Sequence, residues 1–175
     1  MRYVCMDRLK CKDLDARTRQ TIESCEEIYA KSDIAFFDAF TNLGSGEKAN
    51  RLKDKNVRVI SPSDQPVMYA TAMLKLRRDY GGDEWVKKFY HALHLCKPAR
   101  AKDVDSAQTQ IYNWLVCASI AAGKDLTPVF ADRWRMPLTE KQREIIKQTD
   151  WSAEQDPKKC VADLMDAGSA ALVAD

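Results

Sequence analysis

The chain has 175 residues and a mass of 19.9 kDa, the size of one domain or of one domain with a small appendage. Its 28 basic and 26 acidic side chains give a formal charge of +2, and the two signs are interleaved along the sequence. This pattern lacks the clustered basic footprint of nucleic-acid binders, so we expect no nucleic-acid partner. With 45% apolar and 31% charged residues, the composition excludes wholesale disorder.

The N-terminal segment and the hydropathy indicate the cellular location to expect for the chain. The segment from Met1 to Arg8 lacks an apolar run of signal-peptide length, and no stretch approaches the roughly 20 apolar residues of a membrane span. We therefore expect a soluble chain with no membrane association. As written it is cytoplasmic, and it is extracellular if it is a fragment of a larger secreted protein.

The chain has six cysteines: Cys5, Cys11, Cys25, Cys96, Cys117 and Cys160. No pair has the Cys-x-x-Cys spacing, so the signatures of a zinc ribbon and of a thioredoxin-type site are missing. Free and mostly buried thiols are the expected state. The alternative is one or two disulfides, with Cys5, Cys11 and Cys25 as the leading candidates, in an oxidising compartment.

Helical periodicity dominates the N-terminal part of the chain as well as the rest. Helices are predicted at about residues 2–9, 15–31 and 34–43, and Val57–Ile60 is the only candidate strand. A strong helix is then predicted from Pro66 to Tyr80.

The next helix follows the break at Gly81-Gly82, with Asp83 as its predicted cap and Pro98 as its stop. Its apolar residues recur at three- and four-residue steps and form one arc. They are Trp85, Val86, Phe89, Tyr90, Leu93 and Cys96.

The segment from Val104 to Ala122 is the most hydrophobic helix of the sequence, and past Ile111 it is apolar nearly all round. A helix that is apolar on every side is buried on every side, so this segment is the predicted central helix. Gly123 supplies its C-terminal stop.

Helix-start signals fill the C-terminal part of the chain. Thr127 is the predicted cap of a helix that begins with Pro128, and Thr139 with Gln142 forms a predicted capping box for a helix ending near Gln148. Ser152 with Gln155 is a further candidate box, and the last helix is predicted at about residues 157–166.

These elements predict an all-α fold, a compact bundle of about eight helices around the buried helix of residues 104–122. We expect residues 1–60 to form an N-terminal helical segment packed on the main bundle. Residues 61–167 form the predicted bundle core, and residues 168–175 form a flexible tail.

The only two histidines, His91 and His94, lie three residues apart on one predicted helix, a spacing that can place two imidazoles on one metal. The helical wheel places His91 nearly opposite the apolar arc and His94 at its margin, with no carboxylate joining them on that face. We therefore predict surface histidines and no metal site, and Cys96 points back toward the core.

Other catalytic patterns are also missing from the sequence. A serine or cysteine nucleophile needs a base, and both histidines share one helix. The sequence contains no Gly-x-Ser-x-Gly, no Gly-x-Gly-x-x-Gly and no Gly-Lys-Ser or Gly-Lys-Thr loop. We therefore assign no catalytic, cofactor-binding or metal-binding residue and no cofactor.

One pattern of residues spans about Pro66 to Gln142, under half of the chain. It comprises Leu74-x-Leu76, Tyr80-Gly81-Gly82-Asp83-Glu84-Trp85, Phe89, Trp114, Ser119, Gly123-Lys124-Asp125-Leu126-Thr127-Pro128, Phe130, Trp134 and Pro137-Leu138-Thr139. This pattern resembles the C-terminal all-helical subdomain of gluzincin metallopeptidases, in particular the enhancin-like and mucin-degrading branch.

The resemblance implies a fold and kinship with one wall of a peptidase cleft. That family acts through His-Glu-x-x-His and a downstream Glu, which hold or serve a zinc-bound water. Here the only histidine pair reads His91-Ala92-Leu93-His94, with the wrong spacing and no glutamate between, so no zinc ligand carries over.

Three functions stay open from the sequence. The favoured one is a non-catalytic helical domain of gluzincin C-terminal type, whose partner is an upstream catalytic module, another protein or a saccharide-bearing ligand. The second is an autonomous helical protein–protein interaction module with an exposed apolar groove. The third is a small metal- or thiol-dependent enzyme that uses His91, His94 or a reactive cysteine.

Overall fold

The computed structural model describes residues 65–96, 104–136, 138–151 and 157–169. Most of these residues are helical and none of them lies in a strand, so the predicted all-α class is confirmed for this part of the chain. The helices are α1 (Gln65–Asp79), α2 (Gly82–Leu95), α3 (Val104–Ala122), the π-helical segment Pro128–Arg133, α4 (Glu140–Gln148) and α5 (Pro157–Ser169).

The helices predicted at about 2–9, 15–31 and 34–43, the strand at 57–60 and the capping box of Ser152 with Gln155 fall outside the described residues. The total of about eight helices therefore stays a prediction.

The chain divides into two compact units, Met1–Arg78 and Asp79–Asp175. In the first unit the structure describes residues 65–78, which belong to α1, where Thr71, Ala72, Met73 and Leu76 are buried. The division predicted at residue 60 falls in a segment outside the described residues and stays a prediction.

In the second unit, α3 packs against α2 and α5, and α5 also contacts α2 and α4. Nearly every side chain of α3 from residue 111 to 119 is buried, which agrees with the predicted central position of this helix. The buried ones are Ile111, Tyr112, Trp114, Leu115, Val116, Cys117, Ala118 and Ser119. Burial on all sides follows from an apolar surface that is continuous around the helix.

Helix α2 begins at Gly82, and its N-cap is Gly81 in the left-handed conformation (φ 119°). The prediction that Asp83 caps this helix was wrong, because Asp83 lies inside the first turn. There its charge, with that of Glu84, still offsets the positive end of the helix dipole. Of the predicted arc, Trp85, Val86 and Phe89 are buried, and Tyr90, Leu93 and Cys96 are partly exposed.

The chain leaves α3 through a turn whose hydrogen bonds come from side chains. Gly123 has φ +64°, a conformation that favours glycine. The buried hydroxyl of Ser119 accepts a hydrogen bond from the backbone N–H of Leu126 at 3.2 Å. Without Ser119 that N–H would lose its buried partner, so this bond fixes the turn to α3.

Thr127 occupies the N-cap position and Pro128 the first position of the following segment, as predicted, but the Thr127 side chain makes no capping hydrogen bond. Its backbone is already helical (φ −50°, ψ −43°), and its Oγ1 is buried with no hydrogen-bond partner among the described residues. The side-chain hydrogen bond at this helix start comes from Asp125, since its Oδ1 accepts from the N–H of Thr127 at 2.6 Å. The segment that starts at Pro128 is π-helical, and the N–H of Trp134 closes it by donating to the carbonyl of Val129 at 3.0 Å.

The capping box of α4 is confirmed in both directions. Thr139 Oγ1 accepts from the N–H of Gln142 at 3.1 Å, and Gln142 Oε1 accepts from the N–H of Thr139 at 3.0 Å. Helix α5 continues to Ser169, beyond the predicted end near Asp166 and into the segment predicted as a flexible tail. Residues 170–175 of that tail lie outside the described residues.

A close approach joins α3 to α5. Tyr112 donates a hydrogen bond from its hydroxyl to the carbonyl of Leu164 at 2.9 Å, and its ring lies against Gly168. A Cβ added at Gly168 would lie 2.6 Å from Cζ of that ring, so only glycine leaves the ring its place. Burial raises the pKa of Tyr112 to about 12, because the phenolate would lose its water.

Candidate functional site

Both histidines lie on the exposed side of α2, as the helical wheel predicts. His91 and His94 are each exposed, while Ala92 between them is fully buried. Within residues 65–96, 104–136, 138–151 and 157–169, no three His, Cys, Asp or Glu side chains are grouped so as to hold a metal ion. In the same part of the chain, no helix is both long and apolar enough to cross a bilayer.

An aromatic cluster of Trp114, Phe130 and Trp134 joins α3 to the π-helical segment. The ring of Trp114 meets Phe130 edge-on, with centroids 5.3 Å apart, and stacks with Trp134 at 6.4 Å. Phe130 and Trp134 are 5.0 Å apart. All three side chains are buried, so the cluster is a core feature and its rings offer no binding surface.

A second aromatic contact joins α2 to α3. Trp85 stacks on Phe89 with ring centroids 5.1 Å apart and donates from its indole Nε1 to the carbonyl of Ala118 at 3.3 Å. Both Trp85 and Trp114 are buried. Trp151 is partly exposed and donates from Nε1 to the carbonyl of Ile146 at 3.0 Å.

The chemically distinctive site of the second unit is a pair of thiols, Cys96 and Cys117. Their Sγ atoms lie 3.3 Å apart, close enough for an S–H···S hydrogen bond. Both are free thiols, as is the buried Cys160, which agrees with the predicted state for these three cysteines. Cys5, Cys11 and Cys25 lie outside the described residues.

The two thiols differ in access to solvent. Cys117 lies in the middle of α3 and is fully buried. Cys96 is partly exposed and caps the C-terminus of α2, where the backbone has already turned extended (φ −76°, ψ 141°). Cys96 is therefore the more accessible of the two thiols to a reagent from solvent.

The hydrogen bond also separates the acidities of the two thiols. When Cys96 is ionised, the thiol of Cys117 is the donor of this bond, and the bond lowers the pKa of Cys96 against the opposing effect of burial. The same bond, together with burial and the charge of the Cys96 thiolate, raises the pKa of Cys117. Cys96 is therefore the nucleophilic sulfur of the pair.

Two further groups oppose a thiolate at Cys96. Its sulfur lies 3.5 Å from the carbonyl oxygen of Ala92, a contact that favours the protonated thiol. It also lies at the C-terminal end of α2, where the helix dipole disfavours negative charge. The shorter contact to Cys117 has the larger effect on the pKa.

Sequence reasoning did not find the thiol pair. Cys96 and Cys117 are 21 residues apart and lie on different elements, so no spacing motif connects them. The apolar arc of α2, which includes Cys96, and the all-apolar surface of α3 were the available signals.

The chain was compared with known proteins in three ways. No protein-family model, no curated protein and no solved structure matched it.

Proposed function

We propose that this chain is a non-catalytic helical domain akin to the C-terminal helical subdomain of gluzincin metallopeptidases, with a supporting or binding role. The observation that carries the proposal is the structural position of the residues in the gluzincin-like pattern. Among those of the second unit, the aromatic side chains Trp85, Phe89, Trp114, Phe130 and Trp134 are buried, whereas Gly123 and Asp125 lie in a turn at the end of α3.

The aromatic part of the pattern supports this view. Trp85 and Phe89 of α2 and Trp114 of α3 are buried. Phe130 and Trp134 complete the aromatic cluster with Trp114. Side chains with these contacts set the packing of helices, so a pattern built from them indicates a shared fold and says little of shared chemistry.

The turn part of the pattern has the same character. Gly123 provides the positive φ, Ser119 binds the N–H of Leu126, and Asp125 binds the N–H of Thr127. Each of these bonds is local or joins the turn to α3. Contacts of this kind stabilise the turn, which is the role expected of a supporting domain.

The kinship is tested by an experimental structure of the 175-residue chain, compared with the C-terminal helical domains of gluzincin peptidases. We expect the elements from Gly82 to Gln148 to superpose in the same order and with the same packing around α3. A different order of packing would overturn the kinship.

The non-catalytic role is tested separately with the purified full chain, supplied with zinc and incubated with casein and with a mucin-type glycoprotein. We expect no cleavage above a buffer control. Cleavage that a chelator abolishes, and that persists through further purification, would contradict this part of the proposal.

A further inference from the structure

Three features of the second unit were candidates for an additional role: the thiol pair, the contact between Lys124 and Tyr80, and the buried amide of Gln142. Lys124 places its Nζ 4.6 Å from the ring centroid of Tyr80. This contact is accounted for by a cation–π attraction within the chain. Gln142 serves the capping box through its Oε1. The thiol pair has a geometry that packing alone does not require.

We propose that Cys96 and Cys117 form a redox-active thiol pair, in which Cys96 attacks low-molecular-weight disulfides such as oxidised glutathione and Cys117 resolves the product. This role goes beyond the proposed supporting function and does not depend on it.

The distance between the sulfurs carries the first step of the argument. A disulfide has an S–S bond of about 2.05 Å, so closing the observed 3.3 Å requires a movement of only about 1.3 Å. Cys96 can supply that movement, because it follows the last residue of α2 and its backbone is already extended. Cys117 is held within the buried α3.

Access decides the order of attack. Cys96 is partly exposed and Cys117 is fully buried, so an incoming disulfide meets Cys96 first. Exchange proceeds through a thiolate, and the hydrogen bond from Cys117 favours the thiolate at Cys96. Cys160 differs in both respects, since it is buried and its pKa is raised by burial and by the charge of Asp163.

The reaction balances over two exchanges. The Cys96 thiolate attacks one sulfur of R–S–S–R, forms a mixed disulfide and releases R–S⁻, which takes up the proton lost by Cys96. Cys117 then loses its proton, attacks the sulfur of Cys96 and releases the second R–S⁻, which is protonated. Two protein thiols and one small disulfide thus give one protein disulfide and two small thiols, with two electrons passing to the small disulfide.

The second exchange is aided by the first. While Cys96 is a thiolate, its charge and its hydrogen bond keep the proton on Cys117. Once Cys96 is in a mixed disulfide, both effects are gone and burial alone still raises the pKa of Cys117. The resolving thiol therefore becomes more acidic when it is needed.

The first experiment uses the reduced wild-type full chain in buffers of varied oxidised-to-reduced glutathione ratio. Free thiols are trapped by alkylation in acid-quenched samples, and the chain is digested without reductant for mass spectrometry. We expect a peptide that links Cys96 to Cys117, whose fraction rises with the ratio and which dithiothreitol removes. Absence of this peptide in fully oxidising buffer would overturn the proposal.

The second experiment separates the two roles. In Cys117→Ala, glutathione should stay attached to Cys96, and in Cys96→Ala, Cys117 should stay unmodified in the native chain. Cys160→Ala is the matched control and should behave as the wild type. A Cys117→Ala chain that collects no glutathione on Cys96 would contradict the assignment.

A measurement on the wild type does not depend on how the variants fold. Under native conditions, iodoacetamide should label Cys96 on the order of tenfold faster than Cys160, because Cys96 is more accessible and more readily a thiolate. Equal rates at the two cysteines would overturn the assignment of Cys96 as the attacking thiol.

Discussion

Replacement of Gly168 by alanine sets two physical effects against each other. Gly168 lies within α5, where alanine is preferred over glycine by up to about 1 kcal/mol. Helix propensity alone therefore predicts a more stable protein. The structure predicts the opposite, because the new Cβ would lie 2.6 Å from Cζ of Tyr112.

The expected loss of stability depends on how far the ring of Tyr112 must move. Ordinary contact begins at 3.4 Å, so the ring or α5 has to shift by about 1 Å within a packed interior. Overpacking of this kind costs about 1–3 kcal/mol. A shifted ring also weakens the hydrogen bond from Tyr112 to the carbonyl of Leu164, which contributes about 1 kcal/mol. After the gain in propensity, we expect Gly168→Ala to destabilise the second unit by about 2 kcal/mol.

The assay is urea denaturation followed by tryptophan fluorescence, with helix content checked by circular dichroism. The control is the same substitution in a Tyr112→Leu background, which keeps an apolar side chain but removes the ring. There Gly168→Ala should be neutral or stabilising by up to about 1 kcal/mol. A stabilising effect of Gly168→Ala in the wild-type background would refute the close approach of α3 and α5.

Three further predictions concern single side chains. Ser119→Ala leaves the N–H of Leu126 buried without its acceptor and should cost about 1–3 kcal/mol in urea denaturation; an unchanged midpoint would contradict this bond. Asp125→Ala should cost about 1 kcal/mol through loss of its bond to the Thr127 N–H, whereas Thr127→Ala removes an unpartnered hydroxyl and should cost less; the reverse order would show that the Thr127 hydroxyl stabilises this helix start. Tyr112 has its pKa raised from 10.0 to about 12 in the folded chain, so its stabilisation is complete below pH 10 and is lost as the pH rises toward 12. The free energy of unfolding should fall by about 2–3 kcal/mol over this range. Tyr112→Phe should be less stable than the wild type at neutral pH, but its stability should change less between pH 10 and pH 12.

Helix positions in the second unit were largely predictable from the sequence, because they depend on local periodicity. The apolar surface of Val104–Ala122 predicted both the bounds of α3 and its burial, and the Thr139–Gln142 box predicted the start of α4. These signals lie within one helix or one turn.

The cap predictions show where local signals compete. Asp83 and Thr127 are both residues that favour N-cap positions. Gly81, two residues before Asp83, has the positive φ and is the N-cap of α2. Thr127 is at the N-cap, but Asp125, two residues before it, makes the side-chain hydrogen bond, to the N–H of Thr127. Sequence alone gives no energies with which to rank such neighbours.

The thiol pair could not be predicted from the sequence, for a different reason. Placing Cys96 against Cys117 requires the relative rotation and sliding of α2 and α3, which depend on contacts such as the bond from Trp85 to the carbonyl of Ala118. A pattern of apolar residues defines which face of a helix is buried but not which residue of the neighbour it meets.

The account of the fold depends on α3 being the structural core of the second unit. Native-state amide hydrogen exchange on the full chain tests this most directly. The amides of residues 111–119 should be the slowest to exchange in the described part of the chain, with those of the more exposed α4 exchanging faster. Exchange in residues 111–119 as fast as in α4 would contradict the account.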